Sequence, residues 1–296
     1  MKAHERLLKY AVVRTPSNED STTVPSSECQ FDLARLLEAE MKELGLSDVR
    51  LSDQCYLYGK LPATAGLEGQ PAIGFIAHMD TVSDFCDHEI RPVITENYAG
   101  EDLPLGDSGL VLSPDNFPHL RELKGRTLIT TDGTTVLGAD DKAGIAEILT
   151  MVEIIQKEGI PHGPLCVAFT PDEEVGSGAS HFDVKAFGAD YAYTVDGSTE
   201  GEIQYESFNA CKAQFDVKGF NVHPGSSKDT MINASLIAME INSLLPGMET
   251  PRGTEAYEGF YHLTSMSGEC AEAHLNYIVR DHNKDFFEAR KRTLQL

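Results

Sequence analysis

Basic residues are scarce in this sequence: 24 lysines and arginines stand against 47 aspartates and glutamates among 296 residues, a formal net charge of -23. Such a chain is repelled by phosphate backbones and anionic lipid, which argues against nucleic acid or a membrane as partner and favours cationic ligands. A solvated, soluble surface is the plainer account of the same excess. Paired cysteine spacing is also lacking. Cys29, Cys55, Cys86, Cys166, Cys211 and Cys270 are scattered, and Cys166 sits in an apolar run as a small hydrophobe does, so reduced thiols are expected. No apolar stretch approaches the length of a membrane span, the opening residues Met1 to Arg6 are charged, and no repeat or low-complexity tract occurs. A cytoplasmic chain is the expectation.

The length suits two modest domains with ample material for buried cores. Leu33, Leu36, Leu37, Met41 and Leu44 recur at helical spacing, and residues 49–57 alternate like a strand. Ala72 to Ala77 is short and continuously apolar, the pattern of a strand covered on both faces in a mostly parallel sheet. From Ser83 to Gly125 the chain is polar, interrupted by Pro92, Pro104, Pro114 and Pro118, and reads as a long excursion with short strands at most. Loops of that length often border a functional site, although a surface insertion has the same appearance. Asp140 opens the clearest helix, whose apolar face runs from Ala143 to Ile155 before Gly159-Ile160-Pro161 stops it. Leu165 to Thr170 and Tyr191 to Val195 are further apolar strands, so strand, helix and strand imply an α/β sheet with a crossover connection. After about residue 207 the texture changes to alternating strands, 213–217 and 274–279, around a helix near 231–245, and a final helix begins at Lys284. Two domains are expected: 1–207, and a smaller α+β one over 208–296.

Acidic residues gather where the apolar strands end: His78-Met79-Asp80, Asp140-Asp141, Glu173-Glu174 and Asp196-Gly197. An imidazole and several carboxylates brought to one sheet edge need cations to neutralise them. Two zinc ions about 3.5 to 4 Å apart can share a carboxylate and activate a water between them. His78 followed by Asp80 supplies a ligand and a carboxylate able to fix its tautomer. Asp140 at a helix start is either an ordinary cap or a ligand, and its company in Gly138-Ala139-Asp140-Asp141-Lys142-Ala143-Gly144 favours the ligand. Glu173-Glu174 is either a solvated turn or a pair that divides labour, one binding metal and the other taking a proton. Asp196 alone reads as a turn residue. The weight rests on the set.

These segments, with His78-Met79-Asp80-Thr81-Val82, Pro171-Asp172-Glu173-Glu174-Val175-Gly176, Val195-Asp196-Gly197 and Gly219-Phe220-Asn221-Val222-His223-Pro224-Gly225, resemble the peptidase T family of tripeptide aminopeptidases over essentially the whole chain. That family lies in the zinc metallopeptidase superfamily shared with aminoacylases and glutamate carboxypeptidases. The resemblance implies a parallel-sheet catalytic domain with a smaller lid domain. It implies that His78 and Asp196 bind one zinc, that Asp140 bridges to a second held by Glu174, that Asp80 orients His78, and that Glu173 is the general base. A cis peptide after Asp140 is implied as well. His223 would lie in the lid and polarise the scissile carbonyl, where its residue type alone suggests only a surface turn. Asn276 and Arg280 would grip the substrate carboxylate.

One departure accompanies the resemblance. The family contributes a last histidine ligand after its lid, whereas His262, His274 and His282 here fall on or after the second domain's strands, so a truncated chain with an incomplete site is expected. Three rivals stand beside the aminopeptidase: a dipeptidase or N-acyl amino acid amidohydrolase with the same metal residues, a metal-binding fragment without turnover, and a binding module whose strand edges pair with a second copy of the chain.

Overall fold

Apolar periodicity decides most of the architecture, seen in a computed structural model that describes residues 1–197 and 199–295. The chain divides into two compact units, Met1–Glu200 and Gly201–Leu296. The first contains α1 (Ala3–Ala11), α2 (Gln30–Glu43), β1 (Ser47–Leu51), β2 (Leu57–Leu61), β3 (Ile73–His78), β4 (Pro92–Thr95), β5 (Leu103–Pro104), β6 (Val111–Leu112), β7 (Leu128–Thr131), α3 (Ala139–Glu158), β8 (Leu165–Thr170), α4 (Val184–Phe187) and β9 (Tyr191–Thr194). Its main sheet has the order β1-β2-β8-β3-β9. Strands β8, β3 and β9 run parallel, and the β1-β2 hairpin adds to β8 antiparallel.

Alternation along β8 shows how the sheet is covered. Leu165, Val167 and Phe169 face a core filled by Leu33, Leu37 and Met41 of α2 and by Ile145, Leu149 and Val152 of α3. Cys166 and Ala168 point the other way, onto Tyr56, Tyr58 and Phe187. Successive side chains of a strand leave opposite faces, so a run apolar at every position belongs between two layers.

Two local expectations change, and the strands of the long excursion are short, as its sequence suggested. The alternating run 49–57 is two strands: Cys55 N donates to Ser52 O, and Tyr56 N to Ser52 Oγ, closing a turn that sets Leu51 opposite Leu57. The excursion after Ser83 folds into two small antiparallel pairs, β4-β7 and β5-β6. Strand β9, the edge strand of the sheet, is apolar yet exposed, with Tyr191 and Tyr193 near half exposure. The charged opening of the chain forms α1, whose Arg6, Tyr10 and Ala11 are buried.

The second unit contains β10 (Asn209–Lys218), α5 (Ala234–Leu244), β11 (Phe260–Gly268), β12 (Glu272–Asp281) and α6 (Lys284–Gln295). Its antiparallel sheet has the order β10-β12-β11. Ala273, Leu275, Tyr277 and Val279 pack with Ala234 and Ala238 of α5 and Phe287 of α6. The opposite face is polar, as one-sided burial of an antiparallel sheet requires. Among the described residues, no helix is long and apolar enough to cross a membrane.

Candidate metal centre

Parallel register brings the acidic strand ends together. His78 pairs with Thr170, and Ile76 with Thr194, so the residues following β3, β8 and β9 emerge at the same edge. Ligand sites of open parallel sheets form at that carboxyl edge. The start of α3 adds Asp140: the Asp140–Asp141 peptide is cis, and both residues have non-helical backbone angles before the regular helix begins.

Within this edge, His78 Nε2 lies 2.9 Å from Asp140 Oδ1, 3.8 Å from Asp196 Oδ2 and 3.9 Å from Glu173 Oε2. Two groups of potential ligand atoms, His78 with Glu173 and Asp196, and His78 with Asp140 and Glu174, each fall within 4.8 Å of one another. One imidazole among carboxylate oxygens is a donor set that suits zinc and related divalent ions. A cavity of about 360 Å³ beside it is lined by Asp140, Asp141, Glu147 and Asp196.

Asp80 is fully buried, and its carboxylate accepts the N–H groups of Glu173 at 2.9 Å and Glu174 at 3.1 Å. The nearest oxygen to His78 Nδ1 is the main-chain carbonyl of Asp80 at 2.9 Å, with the carboxylate at 3.4 Å. A donated Nδ1–H leaves the Nε2 lone pair facing the carboxylates. Asp80 therefore touches both halves of the cluster.

Electrostatics matches the geometry. Burial opposes a charged imidazole at His78, yet Asp80, Asp141 and Asp196 together push it up to about 10. Burial above all, with neighbouring carboxylates adding to it and His78 opposing it, raises Glu173, Glu174 and Asp196 from the ordinary carboxylate value. A divalent cation relieves the same crowding of negative charge.

Asp141 is a participant that residue types alone did not single out. It is buried, accepts His78 N at 3.2 Å and Gly144 N at 3.1 Å, and is pushed up to about 8 by burial and then by Asp196. Its place in the acidic pair was visible; its orientation toward the β3 backbone was not.

His223, Asn276 and Arg280 belong to the second unit. His223 is exposed and Nδ1 accepts Gly225 N at 3.1 Å, capping a short turn. Asn276 accepts from Gln214 Nε2 at 2.8 Å and donates to Ser265 Oγ at 2.9 Å across the polar sheet face. The Arg280 guanidinium lies 4.5 Å from the Phe208 ring centre.

Comparison with known proteins completes the picture. The pattern of a peptidase dimerisation domain matches residues 205–295, and that of M42 glutamyl aminopeptidase matches residues 123–219. The chain is 56% identical over 292 residues to a peptidase T of Desulfitobacterium hafniense, covering 98% of this chain and 71% of that protein. A peptidase T of Salmonella enteritidis is 51% identical over 294 residues, with 99% and 71% covered. Among solved structures, aminopeptidase PepT from Bacillus cereus superposes with a TM-score of 0.70 at 22% identity, covering 99% of this chain and 70% of that one. A tripeptidase from Staphylococcus aureus gives 0.67 at 22% identity, with 98% and 70% covered. These two establish a shared fold. Identity of this extent along nearly all its residues makes the chain a member of the peptidase T family, and so a peptidase.

Proposed function

We propose that the chain is a zinc aminopeptidase that releases the N-terminal residue of tripeptides, with two ions held through His78, Asp140, Glu174 and Asp196. The observation that carries this reading is that four carboxylates, those of Asp140, Glu173, Glu174 and Asp196, converge on the His78 imidazole in two groups with ligand spacing. Ions bound there would polarise the scissile carbonyl and acidify a water. Glu173, whose carboxylate is raised by burial, accepts a proton from the attacking water and returns it to the departing amine. Asp80 holds the main chain of Glu173 and Glu174 while its carbonyl fixes the His78 tautomer. The negative field favours a substrate's free ammonium group. His223 is proposed to polarise the carbonyl, and Asn276 and Arg280 to bind the substrate carboxylate.

Dialysed protein reconstituted with zinc is expected to bind about two ions, as carboxylate-bridged pairs do, and to cleave tripeptides in preference to dipeptides or N-acyl amino acids. Preference for acylated substrates would move the reading to an amidohydrolase; metal uptake without turnover of any of them would leave a metal-binding fragment.

A second copy of the chain is the proposed partner, supported by the dimerisation-domain match over residues 205–295 and by the exposed Leu236, Met239 and Leu244 of α5. A cytoplasmic setting is supported by free thiols at all six cysteines.

A further inference from the structure

Asp172 is buried, lies outside both ligand groups, and immediately precedes Glu173 and Glu174. Its backbone is left-handed, φ 56°, which is uncommon for a residue with a side chain. The side chain turns toward the start of α2. Ser26 N donates to Oδ2 at 2.8 Å, Ser26 Oγ to Oδ1 at 2.5 Å and Gln30 Nε2 to Oδ1 at 2.7 Å, while Asp172 N donates back to Gln30 Oε1 at 3.3 Å. Ser26 and Gln30 are themselves buried. Ser177 N donates to Asp172 O at 2.9 Å, closing the loop just beyond the glutamates.

The glutamate pair is thus held from two directions. Asp80 takes both of its main-chain N–H groups from the β3 side, and the Asp172 knot anchors the preceding residue to α2. The main chain of the acidic loop is thereby bonded on both sides of the point where the two carboxylates emerge. We propose that Asp172, Ser26 and Gln30 form a positioning device that sets Glu174, and with it the affinity of the ion that Glu174 holds. The inference rests on the metal-centre reading. It gives residues near the beginning of α2, which carry no ligand, a part in metal binding.

Gln30→Glu, Asp172→Asn and the double exchange test it in the full chain, with zinc affinity measured by competition with a chromophoric chelator and folding followed by melting temperature. Gln30→Glu sets a second carboxylate against Asp172 and is expected to weaken one binding step by about 10- to 100-fold, the usual effect of losing a residue that supports a ligand, while the other step stays near the wild-type value. Combining Asp172→Asn with Gln30→Glu restores an amide–carboxylate pair with the roles exchanged, and affinity should recover. Ser26→Ala removes one hydroxyl donor and should produce a smaller selective loss, which keeps the test open should Gln30→Glu fail to fold. Wild-type affinity in Gln30→Glu and Ser26→Ala, or an equal loss of both steps that the exchange does not reverse, overturns the positioning role alone. Wild-type protein that takes up no zinc overturns the metal-centre reading, and this inference with it.

Discussion

At the residue scale, the centre depends on which protons the buried groups hold. Glu173 contributes a carboxylate whose proposed task is proton transfer, so Glu173→Gln should retain zinc yet lose about 10²- to 10⁴-fold in kcat, the usual range for a general base. Steady-state kinetics alongside metal analysis checks this, and loss of zinc instead would make Glu173 a ligand. Asp141 and His78 predict a pH dependence for chain stripped of metal by a chelator. Asp141 rises from an ordinary 3.8 to about 8, so the stability it contributes is complete below 3.8 and is lost as pH rises through about 8. His78, where burial is outweighed by surrounding carboxylates, rises from 6.5 to about 10, so its contribution is complete below 6.5 and is lost toward 10. Both changes have the same sign: the melting temperature of stripped protein should fall between mildly acidic and alkaline pH, and zinc should reverse the alkaline loss. A flat profile across that window would contradict the clustering of charge.

At the element scale, α3 must approach the loop after β9 closely to deliver Asp140. A Cβ on Gly144 would sit 2.0 Å from Val195 O and 2.4 Å from Asp141 Oδ1. Gly144→Ala therefore has to displace the helix or the loop, and it should lower both melting temperature and zinc affinity, whereas Gly66→Ala, where the surroundings are open but φ is 89°, should cost stability without touching metal binding. Elements differed in how much of them the chain announced. β8 and α3 were legible because an apolar run of only six residues between prolines has the length of a buried strand, while a sustained 3.6-residue period marks a helix. The β1-β2 turn was not, since alternation continues through Ser52 to Tyr56 and only the local hydrogen bonds reverse the chain. α1 was masked by its charge. Arg6 is buried there because Glu40 of α2, at 2.8 Å, and Glu153 of α3, at 2.6 Å, neutralise it.

At the scale of the whole molecule, the two units divide the work: the first holds the cluster, and the second carries the dimerisation-domain match and an apolar helix with exposed side chains. Pairing of two copies through α5 predicts a sedimentation coefficient that rises with concentration, and Leu236→Glu should keep the protein monomeric while its zinc content is unchanged. A wild-type chain that stays monomeric at every concentration would remove the second copy as partner. The surplus of acidic residues, 47 against 24, is carried mostly by the first unit, the one that holds the cluster, though a surplus of charge by itself names no ligand.

Residue type and spacing by themselves determined the α/β class and the acidic strand ends, because periodicity and the ends of apolar runs are local properties. They could not assign the partners of each buried carboxylate. Asp172 reaches Ser26 across 146 residues of chain, Asp80 gives its carboxylate to the glutamate backbone, and Asp141 turns to His78 N. Those pairings follow from which loops the parallel register sets side by side. Only the folded sheet decides that, since a buried polar group bonds to whatever donor packing brings within reach.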